Sequence, residues 1–114
     1  MIINFESLSE WANGDVATMK EIIHLFLENT PPTLQMLKTA IETEEWTAIA
    51  RHAHKLKSSY GIVTVSNSLS LIQGIEQSAH ENKDLDRIAR DMRTLEEQFA
   101  LAEKEFDVFM RENA

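Results

Sequence analysis

The sequence contains no cysteine, only three glycines and two prolines, and no long apolar run. Without cysteine there is no disulfide, no thiolate metal site and no thiol nucleophile. So few glycines and prolines would leave a many-stranded β-protein without its turn residues, which points to long helices instead. Met1 is followed by Ile2-Ile3-Asn4-Phe5-Glu6, neither a basic leader nor an apolar signal segment, and nothing approaches the roughly 20 residues that span a bilayer. A cytoplasmic protein is the default expectation. Positive charge is also scarce: 11 Lys and Arg stand against 19 Asp and Glu, for a net charge of -8. Such a field repels phosphate backbones and anionic lipid, so neither nucleic acid nor membrane is an expected partner. Glycine-rich phosphate loops and the G-x-S-x-G elbow are missing, so no residue pattern argues for an ATP site or an acyl-transfer nucleophile.

What is present is amphipathic periodicity. The 114 residues, 43% hydrophobic and 26% charged, suit one folded domain spanning 1–114. A short first helix is expected from Phe5 to Trp11 or Ala12, with Phe5, Leu8 and Trp11 on one stripe and Asn13-Gly14 ending it. Asp15 caps a second helix, whose stripe of Met19, Ile22, Ile23, Phe26 and Leu27 continues through Leu34, Leu37 and Ile41. Pro31-Pro32 interrupt that stripe, and a kink is favoured over a break. A third helix is expected from Glu44 to about Ile62, with Trp46, Ile49, Ala50, Ala53, Leu56 and Tyr60 inward and a fraying end at Ile62-Val63-Thr64-Val65. Thr64 or Ser66 would cap a fourth helix reaching about Asn82, with Leu69, Ile72, Ile75 and Ala79 inward. In the last helix Leu85, Ile88, Met92, Leu95, Phe99, Ala102, Phe106 and Phe109 recur three and four apart, the seam of a packed helix. The expected fold is all-α: an up-and-down antiparallel four-helix bundle with a short extra N-terminal helix.

On a wheel of about 100° per residue, His54 falls about 110° from the centre of the third helix's core stripe, with Ser58 and Gly61 on the same flank. Small neighbours leave the ring open to an approaching protein, although small residues are also common on helix surfaces. Lys57 lies one turn on, and its ammonium has the length to reach back toward the ring. Glu76 is an oddity: four after Ile72 and seven after Leu69, it puts a carboxylate on or beside a core stripe, where it needs a partner. If the third and fourth helices are antiparallel neighbours, the partners in reach include His54 and Lys57. A Glu accepting from Nδ1–H would orient the ring and leave Nε2 free as nucleophile. Arg51, Lys55 and Lys57 make a local positive patch on an acidic chain, suited to a partner with an acidic site.

The stretch Ala53-His54-Lys55-Leu56-Lys57-Ser58-Ser59, with Gly61 following, resembles the A-H-x-L-K-[GS]-[SA] signature of histidine-containing phosphotransfer (HPt) domains. Asn13-Gly14-Asp15, Phe26-Leu27, Thr30-Pro31, Leu34 and Ile75-Glu76 extend the resemblance over nearly the whole chain. It implies a four-helix bundle that carries a phosphoryl group in a phosphorelay without a kinase domain of its own. His54 would be phosphorylated on Nε2 and would exchange the group with the aspartate of a response-regulator receiver domain. Lys57 would stabilise phosphoryl charge, Glu76 would orient His54, and Arg51, Lys55, Ser58 and Gly61 would form the receiver-docking face. No cofactor is implied in this chain, Mg²⁺ being expected on the receiver; a hybrid sensor histidine kinase is the other implied partner. Two departures stand out: Ser58 is larger than the usual glycine, and Thr64 replaces another glycine.

Two rivals remain at the level of sequence. Glu21-Ile22-Ile23-His24 is a single Glu-x-x-His element, whereas a di-iron bundle needs two; His80 follows Glu76 by four, and His52 points away from His54. A non-catalytic interaction bundle explains the heptads but not the coincidence of His54, Lys57, small flank and inward Glu76. His24, His52 and His80 are read as structural or solvated.

Overall fold

In a computed structural model that describes residues 1–114, five helices follow one another with tight turns between them. Asn4 starts α1 (Phe5–Trp11) by accepting the Ser7 N–H on its side chain at 3.0 Å. Asp15 likewise accepts from Thr18 N at 3.3 Å and opens α2 (Val16–Glu42). The later elements are α3 (Trp46–Ile62), α4 (Ser68–His80) and α5 (Leu85–Glu112). Each reversal uses at least one left-handed residue: Asn13 and Gly14, then Glu44, Ser66, and Asn82 with Asp84. Such a residue turns the chain sharply, so successive helices fold back against each other.

Contacts across the seams show the directions. On α2 and α5, Lys20 Nζ reaches the Asn113 carbonyl at 2.6 Å while Lys38 Nζ meets Glu96 at 3.5 Å. Residue number therefore rises on one helix as it falls on the other, and the pair is antiparallel. Phe26 on α2 packs edge-on against Tyr60 on α3, and Ser68 near the start of α4 bonds to Gln98 on α5. Backbones approach around the ring α2, α3, α4, α5 and back to α2, not across its diagonals, which is the up-and-down bundle the periodicity predicts.

The core is apolar and continuous, and Phe26 is its hub: its ring lies 5.1 Å from Tyr60, 5.8 Å from Phe99 and 6.0 Å from Phe106. Phe5 stacks on Phe109 at 5.3 Å and so carries α1 onto the end of α5. The segment before α1 is clamped as well. The Glu105 carboxylate accepts the backbone N–H groups of Ile2 (2.7 Å) and Ile3 (2.9 Å), while Asn4 N donates to Thr64 O and Ser66 N to Ile2 O.

Several local expectations need correction. Trp11 does not join the α1 stripe; it is 59% exposed, and Leu8 and Ala12 are buried instead. Trp11 is the last residue of this seven-residue helix, and the burial at its end comes from Leu8 and Ala12 instead. α3 starts at Trp46 rather than Glu44, because Glu44 is the left-handed residue of the turn. The segment after Ile62 does not fray: Val63 and Val65 are buried and Val65 bridges to Ile3. Neither Thr64 nor Ser66 caps α4, since Thr64 O is taken by Asn4 and Ser66 is left-handed; α4 begins after Asn67 and ends at His80, short of Asn82. Gln98 holds this corner from α5, accepting from Ser68 Oγ and donating to Asn67 Oδ1 at 2.7 Å. His24 is exposed beside Glu28 at 3.1 Å, so the Glu21/His24 element faces solvent. α2 runs unbroken through Pro31 and Pro32, both on its exposed side, where their rings displace no core packing.

Glu105 is the one side chain that accepts from the backbone N–H groups of Ile2 and Ile3. Glu105→Ala is expected to lower stability by about 1–2 kcal/mol and to speed amide exchange at Ile2, Ile3 and Ser66 more than in α3 or α4. Denaturant titration and hydrogen exchange measure the two effects; unchanged exchange at Ile2 and Ile3 would rule the clamp out.

Candidate functional site

α3 and α4 are the most closely paired helices, and their seam brings together three of the residues singled out by sequence. His54 lies on the outer flank of α3, with its side chain 71% exposed, and Glu76 faces it from α4, only 13% exposed. His54 Nδ1 and Glu76 Oε2 are 2.8 Å apart. Lys57, one turn further along α3 and 33% exposed, places Nζ 2.7 Å from Glu76 Oε1. Each carboxylate oxygen therefore has its own cationic or N–H partner.

The charge state of Glu76 fixes the tautomer of His54. Partial burial works to raise the carboxyl pKa, but the hydrogen bonds and charges of Lys57 and His54 together outweigh it and hold the group below its ordinary value. At neutral pH Glu76 is thus an ionised acceptor, with no proton to give. The proton of the short contact sits on His54 Nδ1, so in the neutral form of the ring the lone pair lies on Nε2, on the far side. Lys57 meets the Glu76 carboxylate, as the sequence allowed, and its ammonium is held there rather than on the ring.

Arg51, Lys55, Ser58 and Gly61 are all exposed on α3 beside His54. A Cβ built on Gly61 would meet nothing within 4 Å, and Gly61 has no positive φ, so neither packing nor backbone requires glycine there. The local positive charge is felt by His52, whose pKa burial lowers first and Arg51 and Lys55 lower further.

On the other side of His54, toward the start of α3, lies an open groove of about 730 Å³. Trp46, Ala50 and Ala79 supply its apolar surface; Arg51, His54, Glu76 and His80 supply its polar groups. His80, read from sequence as structural or solvated, borders the site without bonding to it. Its Nε2 lies 3.8 Å from Glu76 Oε2, too far for a hydrogen bond, and its side chain is 63% exposed. It stands beside Glu76 because residues four apart share a helix face.

The Glu76 carboxylate stabilises the folded chain only while ionised. With a folded pKa below its ordinary value of 4.5, its contribution is complete above that value and is lost as pH falls through the lower, folded one. At pH 7 Glu76→Gln is expected to be less stable than the wild type by about 1 kcal/mol, the difference between charged and neutral acceptors. That gap narrows as the pH falls below 4.5 and through the lower, folded pKa. Paired denaturation curves at pH 7 and at acid pH decide it, and a gap independent of pH would contradict the ionised, paired carboxylate.

Comparison with known proteins bears on what this arrangement is for. The model of the Hpt domain family matches residues 21–105, most of α2 through most of α5, including every residue of the His54 site. No curated protein and no solved structure matches the chain. Hpt domains are phosphocarriers of two-component signalling that interact with receiver domains and kinases and carry no kinase domain themselves. No helix is long and apolar enough to cross a membrane. With three quarters of its length matched, from the second helix to the fifth, the chain belongs to the Hpt domain family.

Proposed function

We propose that this protein carries a phosphoryl group on His54 Nε2, exchanging it with the aspartate of a response-regulator receiver domain. The observation that carries the reading is the 2.8 Å contact between His54 Nδ1 and an ionised Glu76, which places the proton of that contact on Nδ1 and makes Nε2 of the exposed ring the nucleophilic nitrogen of its neutral form.

The chemistry follows from that tautomer. The Nε2 lone pair attacks phosphorus as the bond from phosphorus to the aspartyl oxygen breaks, so one P–N bond replaces one P–O bond and the aspartate leaves as a carboxylate. His54 keeps its Nδ1 proton throughout. The phosphorylated ring is therefore an imidazolium, and the Glu76 carboxylate beside it offsets the new positive charge. The same cationic ring is a good leaving group, which allows the reverse transfer to a second receiver. The receiver supplies Mg²⁺ to its own aspartyl phosphate, and the bundle needs no metal for its part. A hybrid sensor histidine kinase, bearing such a receiver, is the upstream donor.

Access decides whether a partner active site reaches Nε2. His54 stands proud of the bundle, and Ser58 and Gly61 keep the flank beyond it low. Gly61 is unexplained by the fold, since a methyl group there has room, but it is explained by an approaching surface. Arg51 and Lys55 suit the acidic rim of a receiver, speeding encounter more than tightening the complex.

Two outcomes are expected. Incubated with a phosphorylated receiver, the wild-type chain acquires acid-labile, base-stable label that His54→Gln abolishes, and Glu76→Ala slows transfer by about 10-fold or more through loss of ring orientation; persistence of label in His54→Gln would falsify the assignment. Gly61→Ala separates docking from folding. It is expected to raise stability by about 0.5–1 kcal/mol, as Gly to Ala does on an exposed helix, while slowing transfer from the receiver; transfer as fast as wild type would remove Gly61 from the docking face.

A further inference from the structure

Charge accounting at His54 leaves a phosphoryl group without a partner. Phosphorylation adds about two negative charges. The cation expected to meet them, Lys57, is already bound to Glu76 at 2.7 Å. Drawing it onto the phosphoryl group would leave a half-buried carboxylate facing the phosphate with one partner fewer. Two other cations flank the histidine, Arg51 and Lys55, and neither has a carboxylate within salt-bridge distance. They differ in place. Lys55, the next residue after His54, points about 100° away around the helix and does not line the groove. Arg51, one turn before His54, shares its face and lines the groove with it.

We propose that Arg51 is the residue that binds the phosphoryl oxygens on His54, while Lys57 stays with Glu76. This rests on phosphorylation of His54 and assigns Arg51 a role separate from receiver docking. A guanidinium offers a planar pair of donors that matches two oxygens of one phosphoryl group, which an ammonium does not. Arg51 also stands on the ridge between this groove and a second one toward α2, lined by Gln35, Thr39, Glu45 and His52, and no carboxylate lies within salt-bridge distance of it in either. Its side chain is free to swing onto the phosphate when the group arrives and away when it leaves.

A small phosphoryl donor isolates this contact from docking, because no receiver is then present. The protein is phosphorylated with phosphoramidate, and the phosphohistidine is titrated by phosphorus NMR in the wild type, Arg51→Gln, Arg51→Lys and Lys55→Gln. A bound guanidinium favours the dianion, so Arg51→Gln is expected to raise the phosphoryl pKa by about half a unit or more. Lys55→Gln removes the same charge nearby and is expected to shift it by less than half as much, with Arg51→Lys between wild type and Arg51→Gln. Equal shifts for Arg51→Gln and Lys55→Gln, or none for Arg51→Gln, would overturn the assignment while leaving His54 as carrier. A wild type that yields no phosphohistidine resonance would overturn both readings.

Discussion

A carboxylate placed at the edge of an apolar core has to be compensated, and much of what is particular about this bundle follows from how Glu76 is. It is largely covered, so solvent alone does not satisfy it, and α4 itself offers no cation at hydrogen-bonding distance. Its partners come from the neighbouring helix: Lys57 on one oxygen, the His54 ring on the other. That requirement sets the register of α3 against α4, aims an exposed imidazole, and decides which ring nitrogen carries the proton. The exposed histidine is ordered because a less exposed group next to it is short of partners.

The rest of the fold keeps those two helices in register. The ring of four helices closes through Phe26, which joins α2 to α3 and α5, and through the Gln98 bonds that tie the start of α4 to α5. The N-terminal segment locks the turn between α3 and α4 by pairing with Thr64 and Ser66, and is itself held by Glu105. Fixing both ends of the α3–α4 turn limits sliding of one helix along the other, and sliding by one turn would separate Glu76 from His54 by about 5 Å. Rigid helices carrying the reacting group also leave little reorganisation for a docking partner to bring about.

Three cations within about two turns of α3 have different neighbours and so different uses. Lys57 is committed to Glu76, Lys55 is solvated, and Arg51 borders the groove beside the ring. The family resemblance assigns phosphoryl charge to Lys57; in the unphosphorylated bundle its ammonium helps to hold the acceptor of His54 Nδ1–H in its ionised form.

The amino-acid sequence by itself determined the helical fold, the order and approximate extent of its elements, the exposure of His54 and the anomaly of Glu76. Each of these depends on spacing along one helix, where 3.6 residues per turn convert position into direction. Misreadings occurred where spacing loses its meaning: in the short α1, where Trp11 escapes burial, and in the turn after Ile62, where Val65 pairs with a residue more than sixty positions away. Only the tertiary structure decided which side chains meet across helices. Sequence allowed Glu76 to reach His54 or Lys57, and the packed seam gives it both, with His80 nearby and a groove that no single helix contains. Those are contacts between residues distant in sequence, and their distances depend on how α3 and α4 turn and pack, which no local periodicity encodes.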